Sequence, residues 1–194
     1  MQIYLIRHPK PLAVLGTCYG RLDAAVGAEE TCAVAIAVRQ RLPASVLQNA
    51  PIYTSPLSRC ATLARALAAP GVPLVDHDLI EMDFGSWEGR SWDAVPRAQL
   101  DGWAQDLWGY RPGGGENAQA VAGRWNRFLS RLHGMDRETV VAVTHAGIIR
   151  VALAQAGRRD LVELAEAPVE YGAVHALALS DCPAALARRV EDPA

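Results

Sequence analysis

The chain has 194 residues, of which 51% are hydrophobic and 21% charged, with a formal net charge of −2. These values are typical of a globular protein with a real core, and the length favours one domain over residues 1–194. The small net charge argues against nucleic acid or a membrane surface as a partner. The short apolar run at the N-terminus leads directly into Arg7, so we expect no signal peptide, no membrane span and a cytoplasmic protein.

Strands and helices are predicted to alternate along the chain. A buried strand at residues 2–6 is followed by a Gly/Pro-marked loop at 9–27, and helical apolar spacing with early acids and late arginines predicts a helix at 29–42. We then predict a strand at 50–57, a helix at 57–69, a strand at 72–77, an irregular segment with short helices at 78–115, a helix at 116–132, a strand at 139–145, a helix at 146–156 and a strand at 173–179. This order indicates an α/β fold with a largely parallel central sheet.

The cysteines and histidines lack the spacing of metal ligands. Cys18, Cys32, Cys60 and Cys182 form no CxxC pair, and we interpret them as reduced thiols that mostly fill core space, with a structural disulfide as the weaker alternative. The five histidines form no HxxxH or HExxH pattern. We therefore expect no catalytic metal.

Cationic and imidazole side chains follow three of the predicted strands. Arg7 and His8 end the first strand, Arg59 follows the second on the first turn of a helix, and His145 ends the strand before residue Ala146 opens another helix. In parallel sheets, ligands bind beyond the carboxyl ends of the strands. Two arginines, two histidines and helix N-termini at one edge predict a receptor for a compact dianion such as phosphate.

Two histidines suggest catalysis in addition to binding. A neutral imidazole is a competent nucleophile at phosphorus, and nearby cations stabilise the transferring group. The leaving alkoxide needs a proton, and Glu81, in a Gly/Trp-rich loop where partial burial would keep it protonated, is the best candidate donor. Asp83 and Glu88 compete with it. Taken singly, each of these residues has an ordinary structural interpretation, and it is their joint arrangement that indicates a site.

Five segments together resemble the histidine phosphatase superfamily, the phosphoglycerate mutase-like proteins. They are LIRH (5–8), TSPLSRCATLA (54–64), EMDFGSWEG (81–89), GGGE (113–116) and VTHAGIIR (143–150). The resemblance implies a three-layer α/β/α sandwich and an enzyme without metal or other cofactor. It also implies that His8 is the phosphorylated nucleophile, that Arg7, Arg59 and His145 form the phosphate pocket, and that Glu81 is the proton donor and then the base for water.

The sequence departs from the family pattern directly after the nucleophile. Pro9, Lys10 and Pro11 stand where the family usually has Gly, an acid or Gln, and a Ser or Thr, and Val14 stands where an Asn often contacts phosphate. Thr17, or the backbone N–H groups around Tyr19 and Gly20, are candidate replacement donors. Lys10 could add a cation, although an exposed lysine is the default.

Within the superfamily, GTCYGRLD (16–23) together with FGSWEG (84–89) most resembles the α-ribazole-5′-phosphate phosphatases of cobalamin biosynthesis. The short chain favours a phosphatase that acts on a small phosphorylated substrate. A phosphoglycerate mutase, a broad sugar-phosphate phosphatase and a non-catalytic binder of phosphorylated ligands are the alternatives, and a homodimer is left open.

The Trp-rich segment, residues 78–115, has two interpretations. It contains Trp87, Trp92, Trp103 and Trp108, with Tyr110 beside them. As a lid over the site, these rings could stack on a flat heteroaromatic leaving group. The other interpretation, to which we give more weight, is that they form the small core of the segment itself.

Overall fold

A central β-sheet organises the chain. The computed structural model describes residues 1–12, 16–68, 70–157 and 160–181. Within them, the sheet contains β1 (Gln2–Arg7), β2 (Ile52–Thr54), β3 (Leu74–Val75), β4 (Thr139–Thr144) and β5 (Val174–Ala178). The strand order is β3-β2-β4-β1-β5. All neighbours pair in parallel except β1 and β5, which are antiparallel, so the predicted mainly parallel sheet is confirmed.

Helices cover both faces of the sheet. They are α1 (Ala28–Arg41), α2 (Ala44–Asn49), α3 (Ser58–Ala68), α4 (Arg97–Gln105), α5 (Ala118–Leu132), α6 (Ala146–Gln155) and α7 (Leu161–Glu166). Residues of β4 alternate between two cores: Val141 and Val143 pack with α1 and α3, whereas Val140 and Ala142 pack with α5 and α6. Alternation is the geometric property of a strand whose side chains point to opposite faces. The fold is therefore the α/β/α sandwich that the resemblance implied.

The first and last residues of some predicted strands and helices differ from the observed ones. The strand predicted at 72–77 contains only Leu74 and Val75, both exposed, because it pairs with β2 alone at the edge of the sheet. The helix predicted from residue 116 begins at Ala118, because the side chain of Asn117 accepts a hydrogen bond from the Ala120 N–H and caps it. Two short helices, α2 and α7, were not predicted.

The Trp-rich segment is irregular, as predicted, and has its own small core. Trp87 is fully buried and packs with Cys18 and Val95. The rings of Trp92 and Trp103 are stacked with centroids 6.3 Å apart and also meet the edges of Phe84. Trp108 instead packs against the core beneath α5 and α6.

The three cysteines in the described part of the chain are free thiols. Cys18 and Cys60 are buried, as expected of core residues, but Cys32 is exposed on α1, so the core-filling prediction is wrong for it. Cys182 and Val14 lie outside the described residues. Among the helices that are described, none is long and apolar enough to cross a bilayer.

Candidate active site

The ends of three parallel strands bring the predicted site residues to one rim. Arg7 pairs with Thr144 and Thr54 with Val143 in the sheet register. The ladder continues one residue past each strand, because the N–H of His8 donates to the Thr144 carbonyl (3.1 Å) and that of Ser55 to the Val143 carbonyl (3.0 Å). These backbone hydrogen bonds therefore fix the positions of His8 and Ser55, the residues that directly follow β1 and β2.

His8 is almost completely buried, with 2% of its surface exposed. Its Nδ1 lies 2.7 Å from the carbonyl of Pro9, an acceptor that only the Nδ1–H tautomer satisfies. Burial above all, and then the charges of Arg59 and Arg7, lower the pKa of His8 to about 3 against the opposing effect of that hydrogen bond. His8 is thus a neutral imidazole whose Nε2 keeps its lone pair.

His145 lies beside His8, with the two ring centroids 5.1 Å apart. It is the residue before α6 and is fully buried. The Nε of Arg59 donates to His145 Nδ1 (3.3 Å), which leaves the proton on Nε2 to be donated to the Ser55 hydroxyl at 2.8 Å. Burial, followed by repulsion from His8 and Arg59, lowers the pKa of His145 well below its usual value. This ring too is neutral.

Arg59 ties the rim to the loop that precedes α1. Its side chain is fully buried, and besides His145 it binds the carbonyls of Leu22 (2.8 Å) and Gly20 (2.6 Å). Because a guanidinium has five N–H groups, these three bonds leave two more for a ligand. Gly20 is obligatory here: a Cβ at this position would collide with the Met82 carbonyl.

Arg7 directly precedes His8 and lies against Tyr171. Its Nη1 donates to the Val169 carbonyl, and its guanidinium carbon lies 3.9 Å from the ring centroid of Tyr171. Its Nε is buried and has no hydrogen-bond partner in the described part of the chain. Arg7 and Arg59 both act electrostatically on His8, so two positive charges influence the imidazole.

Glu81 reaches the same rim from the Trp-rich segment. It is half-buried, and its Oε2 accepts a hydrogen bond from the Gly147 N–H in the first turn of α6, at 3.1 Å. A Cβ at residue 147 would collide with this carboxylate, so glycine is what admits it. Ala146, which precedes Gly147 at the N-terminus of α6, is buried next to His145.

The competing carboxylates have structural partners. Glu88 accepts hydrogen bonds from the N–H groups of Arg21, Leu22 and Phe84. Asp83 accepts one from the Gly85 N–H and forms an ion pair with Arg21. These contacts hold two loops together.

Arg124 is a residue of this region that the sequence analysis missed. It is buried on α5, binds the carbonyls of Asp78 and Ile80, and forms an ion pair with Glu116 at 2.8 Å. Burial alone would raise the pKa of Glu116, but the Arg124 hydrogen bonds outweigh it and lower that pKa. The signal was an arginine on the apolar face of a helix, beside Val121 and Phe128. Through its bonds to the Asp78 and Ile80 carbonyls, Arg124 fixes the chain just before Glu81.

The candidate replacement donors are placed differently from one another. Tyr19 lies at the rim, with its ring centroid 5.3 Å from the guanidinium carbon of Arg59. Thr17 pairs with Ser91 in an isolated bridge to the Trp-rich segment. Lys10 is exposed, as its default interpretation predicted.

A cavity of about 300 Å³ opens beside Glu81. Its walls are mostly apolar and include Met82, Phe84, Trp103, Leu107, Val151 and Leu161. One arginine, Arg150, lines it, but its guanidinium already binds the carbonyls of Leu164 (2.7 Å) and Ala167 (3.2 Å). A larger cavity of about 690 Å³ lies at the other end of the sheet, where Arg39 is its one charged side chain.

Comparison with known proteins identifies the family of the chain. The sequence model of the histidine phosphatase superfamily (branch 1) matches residues 3–192. The chain belongs to this superfamily.

Individual relatives differ in how much of each chain the similarity covers. The chain is 30% identical over 138 residues to the adenosylcobalamin/alpha-ribazole phosphatase of Salmonella typhimurium, which covers 66% of this chain and 68% of that protein. It is 37% identical over 112 residues, 54% of its length, to a bifunctional protein of Mycobacterium tuberculosis, of which the match spans only 30%. A crystal structure of phosphoglycerate mutase from Thermus thermophilus superposes with a TM-score of 0.70 at 29% identity, covering 91% of this chain and 92% of that one.

Proposed function

We propose that the protein hydrolyses a small phosphate monoester through a phosphohistidine intermediate at His8, without a metal or other cofactor. The observation that carries this proposal is the state of His8. It is a neutral imidazole with Nδ1 oriented toward the Pro9 carbonyl, and it lies within the electrostatic influence of two arginines that match the charge of a phosphoryl group.

In the first step, the lone pair of His8 Nε2 attacks phosphorus and the bond from phosphorus to the ester oxygen breaks. Arg7, Arg59 and the N–H groups at the start of α6, including that of Ala146, neutralise the charge on the phosphoryl oxygens. The leaving oxygen takes a proton from Glu81, which reaches the rim by its hydrogen bond to the Gly147 N–H.

In the second step, water attacks the phosphorus of phosphohistidine and the bond from nitrogen to phosphorus breaks. The Glu81 carboxylate, left without its proton by the first step, takes a proton from this water. Inorganic phosphate departs and His8 returns to its neutral form, so the enzyme is regenerated with no net change in protons on Glu81.

The leaving group that fits best is apolar and flat. The cavity beside Glu81 is walled by Phe84, Trp103 and Leu107, and its volume is at the lower end of the range of small-molecule sites, about 300–1,000 Å³. Of the tryptophans proposed to stack on a substrate, Trp103 lines this cavity, whereas Trp87 and Trp92 pack in the core of the segment.

We therefore propose α-ribazole 5′-phosphate, a heteroaromatic nucleoside phosphate, as the leading substrate. The apolar cavity supports it, and so does the 30% identity to the Salmonella phosphatase. The mutase alternative draws on the Thermus structure. It is less well supported, because 3-phosphoglycerate would place its carboxylate against cavity walls that are mostly apolar.

The test is phosphate release from a matched panel in the presence of EDTA. The panel contains α-ribazole 5′-phosphate, adenosine 5′-phosphate, glucose 6-phosphate and 3-phosphoglycerate, each with wild type and with His8→Ala. We expect the highest kcat/KM with α-ribazole 5′-phosphate and no turnover by the variant.

Each other outcome points to one of the alternatives. Equal rates across the panel would indicate a broad phosphatase, and 2-phosphoglycerate without free phosphate would indicate a mutase. Tight binding of α-ribazole 5′-phosphate without turnover would indicate a non-catalytic binder. Loss of activity with EDTA would contradict the metal-free mechanism.

A further inference from the structure

Two tyrosines from separate loops meet over the phosphate rim, which we define as Arg7, His8, Arg59 and His145. Tyr19 lies in the loop before α1 and Tyr171 in the turn that leads into β5, and their hydroxyl oxygens are 2.8 Å apart. The Tyr171 ring also lies beside the Arg7 guanidinium, and the Tyr19 ring lies beside the Arg59 guanidinium. The pair thus spans the rim from one cation to the other.

Tyr171 is held in place by the sheet. The Arg7 N–H donates to the Ala173 carbonyl (3.0 Å) and the Gly172 N–H to the Arg7 carbonyl (3.1 Å), so the residues after Tyr171 are bonded to the end of β1. Gly172 has a φ of 71°, a left-handed conformation that favours glycine. The Tyr171 ring centroid is consequently 5.7 Å from that of His8.

Tyr19 is held from the opposite side. The carbonyl of the next residue, Gly20, accepts a hydrogen bond from Arg59, and the carbonyl of Cys18 accepts one from the Gly89 N–H. Burial first, and then the hydrogen bond to Tyr171, raise the pKa of Tyr19. Its phenol therefore keeps its proton throughout the neutral range and can act as a donor.

The pair has more donor protons than its mutual bond uses. Two phenols carry two hydroxyl protons, and one O–H···O bond between them uses a single proton. Arg7 Nε adds a second donor, because it is buried with no partner among the residues described. Hydroxyl donors that lie beside two guanidinium groups suit the lone pairs of a phosphoryl oxygen.

We propose that Tyr19 and Tyr171 are phosphate-binding residues and that the second hydroxyl proton of the pair is donated to a phosphoryl oxygen of the substrate. This inference rests on the proposed function, and it adds a substrate contact that no motif of the sequence indicated for Tyr171. The stacked Tyr171 ring also keeps the Arg7 guanidinium beside His8.

The test is inhibition of p-nitrophenyl phosphate hydrolysis by orthovanadate, compared between wild type, Tyr171→Phe, Tyr19→Phe and the double variant. Phenylalanine keeps the ring over the arginine and removes only the hydroxyl. Hydrogen bonds to charged groups are worth enough that each single variant should raise Ki by about tenfold or more. The double variant should lose little more than either single one, because the two hydroxyls act as a unit.

Tyr53→Phe is the matched control, since its hydroxyl contacts the Met135 sulfur and not the rim. It should leave Ki unchanged. An unchanged or lower Ki in both rim variants would overturn the inference and show that the pair only covers the pocket. The proposed function fails separately, if wild type neither releases phosphate nor is inhibited. Should Tyr171→Phe not fold, Tyr19→Phe supplies the same comparison.

Discussion

The phosphate rim and the Trp-rich segment are built in opposite ways. At the rim, buried polar groups such as His8, Arg59 and His145 are held by hydrogen bonds to backbone carbonyls and to one another. In the segment, aromatic rings pack on each other around Trp87 and leave a cavity beside Glu81. The sheet thus fixes the positions of the rim residues, while a separately packed segment brings Glu81 to them and walls the cavity beside it.

Glu81 lies where the two regions meet. Among substitutions in the Trp-rich segment, its replacement should lower kcat the most. Glu81→Gln keeps the shape of the side chain but cannot supply a proton. With α-ribazole 5′-phosphate, whose alkoxide is a poor leaving group, we expect kcat to fall by about 10²- to 10⁴-fold, the usual contribution of a general acid. With p-nitrophenyl phosphate, whose leaving group needs little protonation, the loss should be much smaller.

The control for Glu81 is Asp83→Asn, which removes a charge from the same loop. It should affect both substrates equally and modestly, since Asp83 pairs with Arg21. If Glu81→Gln slowed both substrates to the same extent, the assignment of Glu81 as the acid would be wrong.

Trp87→Ala tests whether the segment is held by its aromatic core. Trp87 is fully buried, so truncation should lower the free energy of unfolding by about 3–5 kcal/mol. Urea unfolding measures this loss, with Trp87→Phe as the milder comparison. The fraction that folds should keep most of its activity with p-nitrophenyl phosphate. A large loss of that activity with unchanged stability would contradict the separation of the two regions.

The buried histidines make the rim sensitive to acid. Because folding lowers the pKa of His8 to about 3, only the unfolded chain binds a proton there between about pH 6.5 and 3. The free energy of unfolding should therefore fall as the pH falls through this window. His8→Gln should reduce the slope between pH 6 and 4 by about 1.4 kcal/mol per pH unit. An unchanged slope would mean that His8 is protonated in the folded protein.

Sequence predicted the rim better than the segment for a physical reason. Residues directly after strands, such as His8 and His145, are placed by a parallel register that topology alone dictates. The contacts of Glu81, Arg124 and Tyr171 depend on how loops from distant parts of the chain pack together. No periodicity encodes that packing, so Tyr171 was not identified. Arg124 was overlooked although its position on the apolar face of α5 marked it.

Strand length was the weakest part of the fold prediction. The edge strand β3 has an apolar composition similar to that of a buried strand, but its two residues are exposed and pair on one side only. A single domain with a lid-like segment, the homodimer and the cytoplasmic location stay predictions.

Phosphohistidine formation at His8 is the central claim, and rapid quenching with a ³²P-labelled substrate tests it most directly. The wild-type protein, mixed with labelled p-nitrophenyl phosphate and quenched in alkali, should carry a label that is stable to base and lost in acid. His8→Ala should carry none. A label that persists in His8→Ala, or that is stable to acid in wild type, would contradict the account.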